Sequence, residues 1–266
     1  HDSKTGGVAT IDGREKAPAA MREDRFLGPD GKVIPFRDAF LGGHSVGVPG
    51  NIALMAKAHG KWGKLHWDKL FQPAIALAEQ GYVVTPRLAG VIAQLAPLWD
   101  GFDATKAIYF QDGRPKAAGD VVRNPALANT LRQIAKKGTD DYYRGELAEQ
   151  IAKELKQIGS PLRLDDLNRH QAKLINPLHL AHSVADVYNM TPPTQGVVSL
   201  MILGILDQLN LRQYAVDSPE YVHHCVEATK QAFKVRDQFV TDPAYMQQHA
   251  QEFLSPAFLK TLADKV

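Results

Sequence analysis

The chain contains 266 residues, of which 44% are hydrophobic and 23% are charged. This is ordinary globular composition at a length that supports a sizeable core, so it excludes a disordered tail and a fibrous protein. Thirty-one Lys and Arg residues against 29 Asp and Glu residues leave a formal charge of +2, and the basic residues are scattered. A nucleic-acid partner is therefore not expected. The single cysteine, Cys225, cannot make an intrachain disulfide, which leaves the cellular compartment open.

Neither a membrane anchor nor a signal peptide is expected within these residues. The most apolar stretch, 197–206, has about half of the ~20 residues that a membrane-spanning helix needs. The first four residues are polar, whereas a secretory signal is apolar at this point. Because the chain begins with His1 instead of Met, we expect that further N-terminal residues precede it.

Short β elements are predicted in the first half of the chain. Residues 8–11 read as a strand that the turn-forming pair Asp12-Gly13 ends, which places Arg14 just past a strand end. The Pro-Asp-Gly sequence at 29–31 and the Gln-Asp-Gly sequence at 111–113 each lie between apolar residues, and both predict hairpin turns.

Helical periodicity begins at residue 49 and dominates the rest of the chain. Apolar spacing, capping residues and stop glycines predict a helix that ends before Gly60 and another that stops at Gly81. Further helices are predicted at 88–98, 125–137, 140–158, 165–167, 196–206 and 219–240, with mixed β structure at 174–188. On the helix at 219–240, the predicted buried side consists of Val222, Val226, Thr229, Phe233 and Phe239.

With no internal repeat and no domain-sized linker, residues 1–266 are predicted to form a single, mostly helical α+β unit.

The histidine clusters do not predict a metal site. His223, His224 and Cys225 are consecutive on a helix, where neighbours diverge by about 100°, so they cannot easily converge on one ion. His179 and His182 lie in a β-like segment without a nearby acidic ligand, and we expect surface histidines there. The pair Asp165-Asp166 fits a helix N-terminus, where acids favour the helix dipole.

No familiar catalytic motif is complete in this sequence. The glycine-containing stretch 42–50 lacks the Lys-Ser/Thr of a phosphate-binding loop and the spacing of a dinucleotide fingerprint. No Gly-x-Ser-x-Gly nucleophile motif occurs. Residue spacing alone therefore predicts neither a complete active site nor a cofactor.

Residues 10–19 read Thr-Ile-Asp-Gly-Arg-Glu-Lys-Ala-Pro-Ala. This segment resembles the Arg-Glu-x-Ala-Pro motif in the large subunit of the γ-glutamyltransferase (glutathione hydrolase) family. Later landmarks occur in the same order as in the family, and their shared order over more than two hundred residues carries the resemblance. They are Gly-Val-Pro-Gly at 47–50, Gln-Pro-Ala-Ile-Ala-Leu-Ala at 72–78, Tyr-Tyr-Arg-Gly at 142–145, Leu-Asp-Asp-Leu at 164–167, Pro-Pro at 192–193 and Glu-Ala-Thr-Lys-Gln-Ala-Phe at 227–233.

The resemblance implies the large-subunit part of an N-terminal nucleophile hydrolase, an αββα sandwich made as a precursor that cleaves itself. In such enzymes the N-terminal threonine of the small subunit attacks the γ-glutamyl carbonyl, and its own amino group acts as the base. That threonine is expected beyond Val266, so residues 1–266 alone are expected to be inactive. The implied partners are the small catalytic subunit from the same precursor and a γ-glutamyl donor such as glutathione. The implied location is periplasmic or secreted.

Arg14 is the one site residue that the resemblance carries over. In the family this arginine holds the α-carboxylate of the glutamyl donor, a role that suits a guanidinium because it binds a carboxylate through two parallel hydrogen bonds. A purely structural pairing of Arg14 with Glu15 or Asp12 is the alternative.

Three segments depart from the family pattern, at 181–185, 192–197 and 236–237. These departures put the choice of substrate in question more than the fold. A cephalosporin-acylase-like amidase is therefore an alternative function, and so is a non-catalytic scaffold that has lost the nucleophile domain.

Overall fold

Helices begin and end where the sequence supplies capping residues. In the computed structural model, which describes residues 1–266, the side-chain oxygens of Thr85, Asn124 and Ser218 each accept a hydrogen bond from the backbone N–H three residues later, at 2.9–3.2 Å. Gly81 ends its helix with a positive φ of 93°, a conformation that costs glycine little. The predicted boundaries at these positions are confirmed.

The chain forms eleven α-helices and eight short β-strands. The helices are α1 (Phe36–Leu41), α2 (Asn51–Trp62), α3 (Trp67–Gln80), α4 (Pro86–Leu95), α5 (Asp103–Tyr109), α6 (Pro125–Arg144), α7 (Glu146–Gln157), α8 (Leu164–Arg169), α9 (Gly196–Gln208), α10 (Pro219–Phe239) and α11 (Pro256–Ala263). The strands are β1 (Thr10–Asp12), β2 (Tyr82–Val83), β3 (Phe110–Gln111), β4 (Arg114–Pro115), β5 (Val121–Val122), β6 (Lys173–Ile175), β7 (Leu178–His182) and β8 (Ala185–Asn189). The predicted mostly helical α+β class is confirmed.

Two predicted helix boundaries were wrong. Helix α2 continues through Gly60 to Trp62. The predicted helix at 140–158 is broken before Glu146, because Gly145 takes an extended conformation. A Cβ atom on Gly145 would lie 2.6 Å from Oδ1 of Asp141, so this close approach requires glycine. The predicted interruption at Gly138 is confirmed, since this residue lies inside α6 with a φ of 74°.

Residues 11–173 form one compact unit with three apolar clusters. One joins α3 to α6 and α7, and a smaller one lies beside α4. The third contains Val48, Tyr143, Ala148, Leu162 and Leu167, all of which are buried. This third cluster underlies the segment that carries Arg14.

Residues 1–10 and 174–266 form the second compact unit. Strands β7 and β8 pair as an antiparallel hairpin with Leu178 opposite Asn189, which confirms the β structure predicted at 174–188. Helix α9 is the centre of this unit's core because it is apolar around most of its circumference. Its buried side chains are Val197, Val198, Leu200, Met201 and Ile205.

The predicted buried side of α10 was wrong. Val222 and Val226 are 48% and 47% exposed, and Phe233 is 39% exposed. The buried positions are instead Ala228, Gln231, Ala232 and Val235. Three of them, Ala228, Ala232 and Val235, belong to the apolar cluster around α9. Small side chains let two helix backbones approach closely, and this close packing decided the orientation. A stripe of larger apolar residues therefore faces outward in this chain.

The interpretation of residues 1–266 as a single unit of the family stays a prediction.

No helix combines the length and the apolar character needed to cross a membrane.

Candidate functional site

Arg14 lies in an exposed turn directly after β1. Its backbone N–H donates a hydrogen bond to Oδ1 of Asp12 at 3.1 Å, the side-chain-to-backbone contact that shapes such turns. Its guanidinium Nη2 lies 3.4 Å from Oε1 of Glu15, and the Arg14 side chain is 50% exposed. Of the two acids in the structural alternative, Glu15 therefore pairs with the guanidinium, whereas Asp12 contacts only the backbone N–H of Arg14.

The arginine segment, defined here as residues 12–19, has a firmly held backbone. Lys16 and Val48 exchange two backbone hydrogen bonds, at 2.8 and 3.3 Å. At the end of the segment, the N–H of Ala19 donates to Oδ1 of Asp166 at 2.9 Å. The second carboxylate oxygen of Asp166 accepts the N–H of Arg163 at 2.8 Å, so the predicted capping role of this acid at the start of α8 is confirmed.

Two glycines bring the arginine segment against the start of α2. A Cβ atom on Gly50 would lie 2.1 Å from the carbonyl oxygen of Gly13 and 2.9 Å from that of Arg14. A Cβ atom on Gly13 would lie 2.3 Å from Cβ of Leu54. Only glycine fits at either position, because these distances are far below van der Waals contact. The backbone around Arg14 is thus in direct contact with residue 50.

Tyr143 lies beneath this contact and was not predicted as a site residue. Its side chain is 1% exposed, and its Oη donates a hydrogen bond to the carbonyl oxygen of Pro49 at 2.8 Å. The same oxygen accepts the backbone N–H of Ala53 at 3.2 Å. Burial raises the pKa of Tyr143 to about 12, so the hydroxyl remains protonated at any ordinary pH.

His170 stacks against Tyr143, with ring centroids 5.3 Å apart. It is 5% exposed, and both ring nitrogens are buried without a hydrogen-bond partner. Burial lowers the pKa of His170, the charge of Lys16 lowers it further, and the charge of Asp12 partly offsets this. The neutral ring is therefore the form that this site favours.

A cleft of about 160 Å³ lies beside the arginine segment. Lys16 and Arg169 line it with positive charge, next to Asp166 and His170. The arginine segment itself contributes a guanidinium and an ammonium group but contains no hydroxyl or thiol. It also contains the carboxylates of Asp12 and Glu15, so the positive and negative charges of the segment balance.

The histidines that stood out in the sequence have structural contacts of their own. Nε2 of His179 lies 2.6 Å from Oδ1 of Asp186 on the paired strand, and Nε2 of His182 lies 3.7 Å from Oδ1 of Asp207. Nδ1 of His224 lies 2.7 Å from the carbonyl oxygen of Glu220. Nowhere do three or more His, Cys, Asp or Glu side chains form a group that could hold a metal ion.

A family profile described as gamma-glutamyltranspeptidase matches residues 1–266. Among curated proteins, the oxamate amidohydrolase proenzyme of Klebsiella pneumoniae is 42% identical over 201 residues, covering 74% of this chain and 37% of the relative. The glutathione hydrolase proenzyme of Escherichia coli is 32% identical over 267 residues, covering 99% of this chain and 46% of the relative. The chain thus spans less than half the length of either protein.

Among solved structures, the γ-glutamyltranspeptidase of Helicobacter pylori matches with a TM-score of 0.93 at 28% identity. The match covers 98% of this chain and 75% of that structure's chain. The fold implied by the family resemblance is confirmed over almost every residue of this chain.

Proposed function

This chain belongs to the γ-glutamyltranspeptidase family, and from that membership we propose that it is the large-subunit part of an enzyme that transfers or hydrolyses γ-glutamyl groups of glutathione-type donors. The observation that carries the proposal is the family match over all of residues 1–266 together with a half-exposed arginine at the motif position. The proenzyme names of two relatives support an origin from a precursor that also supplies a small catalytic subunit.

We propose that Arg14 binds the α-carboxylate of the donor. Three features support this role. The backbone of the arginine segment is held by hydrogen bonds to Val48 and Asp166, so the Arg14 side chain starts from a fixed backbone. The Arg14 side chain is half exposed, and its ion pair with Glu15 is of an exposed kind that contributes about 1 kcal/mol or less. A donor carboxylate can therefore replace or share that contact at little cost.

The chemical step is proposed to use a threonine at the N-terminus of the small subunit. Its hydroxyl oxygen adds to the γ-glutamyl carbonyl while its own amino group takes the hydroxyl proton. That proton passes to the departing amine as the amide bond breaks, which leaves an acyl ester on the threonine. Water or an acceptor amine then attacks the ester and releases the threonine. In this scheme Arg14 touches the substrate and takes no proton. A periplasmic or secreted location is proposed from the family alone.

A second candidate reaction is the hydrolysis of an oxamate-like amide, because the oxamate amidohydrolase relative is 42% identical to this chain. Oxamate also carries a carboxylate, but that group is bonded directly to the amide carbonyl. In a γ-glutamyl donor, three carbons separate the two groups. One arginine at a fixed distance from one nucleophile cannot serve both geometries equally well, so the two donors should be turned over at very different rates.

The test is to express the full-length gene product, verify its processing, and measure amide hydrolysis with two donors under the same conditions. Release of p-nitroaniline from γ-glutamyl-p-nitroanilide at a higher kcat/KM than ammonia release from oxamate supports the first proposal. The opposite order supports the second. Residues 1–266 alone are the matched control and should turn over neither donor, and activity of that segment would contradict the assignment of the nucleophile to another chain.

A further inference from the structure

One buried hydroxyl group joins two backbone positions at the start of α2. Oη of Tyr143 donates to the carbonyl oxygen of Pro49 and accepts the N–H of Ala53. Ala53 is the third residue of α2, where backbone N–H groups have no partner within the helix. The Tyr143 hydroxyl therefore fixes the position of residues 49–53 with hydrogen bonds that a phenyl ring cannot make.

These same residues are in contact with the backbone around Arg14. Gly50, which follows the tethered Pro49, is so close to Gly13 and Arg14 that it has no room for a Cβ atom. On the other side, Val48 exchanges two hydrogen bonds with Lys16. A shift of residues 48–50 must consequently move the arginine segment by a similar amount, because backbone groups in direct contact cannot slide independently.

We infer that Tyr143 is a positioning residue for Arg14: its hydroxyl holds residues 49 and 50 where the guanidinium meets the carboxylate of the donor. This inference rests on the proposed role of Arg14 in binding that carboxylate. The ring of Tyr143 is held by His170, which stacks on it at a centroid distance of 5.3 Å. Loss of the hydroxyl alone therefore changes the hydrogen bonds while the ring keeps its place.

The neighbouring Tyr142 offers a matched control. Its ring centroid is 4.8 Å from that of Tyr143, and it belongs to the same helix. Its hydroxyl, however, makes no hydrogen bond within the chain, and it packs toward α3 as well as toward the cluster below the arginine segment. A Tyr→Phe change at 142 removes the same atom without touching the contacts at Pro49 and Ala53.

The experiment compares Tyr143→Phe with Tyr142→Phe in the full-length protein, after processing has been verified. Each variant is assayed with γ-glutamyl-p-nitroanilide and with 4-aminobutyryl-p-nitroanilide, the same donor without its α-carboxylate. For Tyr143→Phe we expect KM for the γ-glutamyl donor to rise about three- to tenfold, with kcat within about twofold. KM for the donor without the carboxylate should stay within about twofold, and Tyr142→Phe should change neither donor.

Arg14→Lys in the same assays separates this inference from the proposed function. If Arg14→Lys is selective for the carboxylate donor and Tyr143→Phe is not, the positioning role is overturned and the proposed function stands. If Arg14→Lys is itself unselective, the proposed role of Arg14 in binding the donor carboxylate fails, and the positioning role of Tyr143 fails with it. Should Tyr143→Phe not mature, Ala53→Pro is the second variant, because it removes the backbone N–H that the hydroxyl accepts, a group with no partner inside the helix. It should then produce the same selective rise in KM, and a rise with both donors would overturn the inference.

Discussion

Arg14→Lys is the most direct perturbation of the proposed donor site. Lysine keeps the positive charge but replaces a planar fork of donors by a single ammonium group, so only one of two parallel hydrogen bonds to a carboxylate can form. The backbone at this position is held by residues 48–50 and by Asp166. The substitution should therefore change the contact with the donor and leave the fold in place.

The expected loss in kcat/KM for Arg14→Lys follows from the exposure of the Arg14 side chain. A hydrogen bond to a charged group contributes about 1.5–3 kcal/mol. Arg14 is 50% exposed, and water screens such contacts, which favours the lower end of this range. About 1.5 kcal/mol corresponds to a loss of about tenfold in kcat/KM for γ-glutamyl donors. The exposed ion pair with Glu15 adds little, since pairs of this kind contribute about 1 kcal/mol or less.

The assay is a double-change cycle of Arg14→Lys against removal of the donor's α-carboxylate. The variant should lose about tenfold with γ-glutamyl-p-nitroanilide and less than about twofold with 4-aminobutyryl-p-nitroanilide. Self-cleavage of the precursor should be nearly unchanged, because the cleaved peptide bond presents no free α-carboxylate to Arg14. Equal losses for both donors, with folding and processing intact, would mean that Arg14 is a structural arginine and would refute the reasoning.

Three further predictions concern stability, measured by urea unfolding of the full-length protein. Because burial lowers the pKa of His170, the folded state binds fewer protons than the unfolded state, so the free energy of unfolding should fall as the pH drops through and below about 6.5. His170→Phe should flatten this dependence of stability on pH. An unchanged pH dependence would contradict the assignment of the effect to His170. On α10, Ala232→Leu at a fully buried position should lower the free energy of unfolding by about 1–3 kcal/mol. The nearby Val226→Thr should lower it by about 0.5 kcal/mol or less. The reverse order would support the helix orientation predicted from the sequence. Gly138→Ala should cost about 1 kcal/mol, since its φ of 74° is unfavourable for a residue with a Cβ atom although the space around it is open; a gain in stability would contradict the strain argument.

The sequence by itself determined much of the local structure and pointed to one candidate site residue, Arg14. Helix starts at Thr85, Asn124 and Ser218 and the interruption at Gly138 were predictable because their causes lie within three or four residues of each position. Arg14 was predictable only through the resemblance of its motif, since neither spacing nor composition distinguishes it from any other surface arginine.

Contacts between distant parts of the chain decided the rest. The buried side of α10 could not be read from its apolar residues, because both sides carry them and the packing of α9 against Ala228 and Ala232 chose between them. Tyr143 acts on a residue 94 positions away in the chain, so no local pattern could reveal its hydrogen bonds. The same holds for His170, whose burial and lowered pKa arise from groups that only the folded chain brings together. Local signals thus set the helix starts at Thr85, Asn124 and Ser218, whereas burial and close packing, which depend on the whole fold, set which side chains surround Arg14.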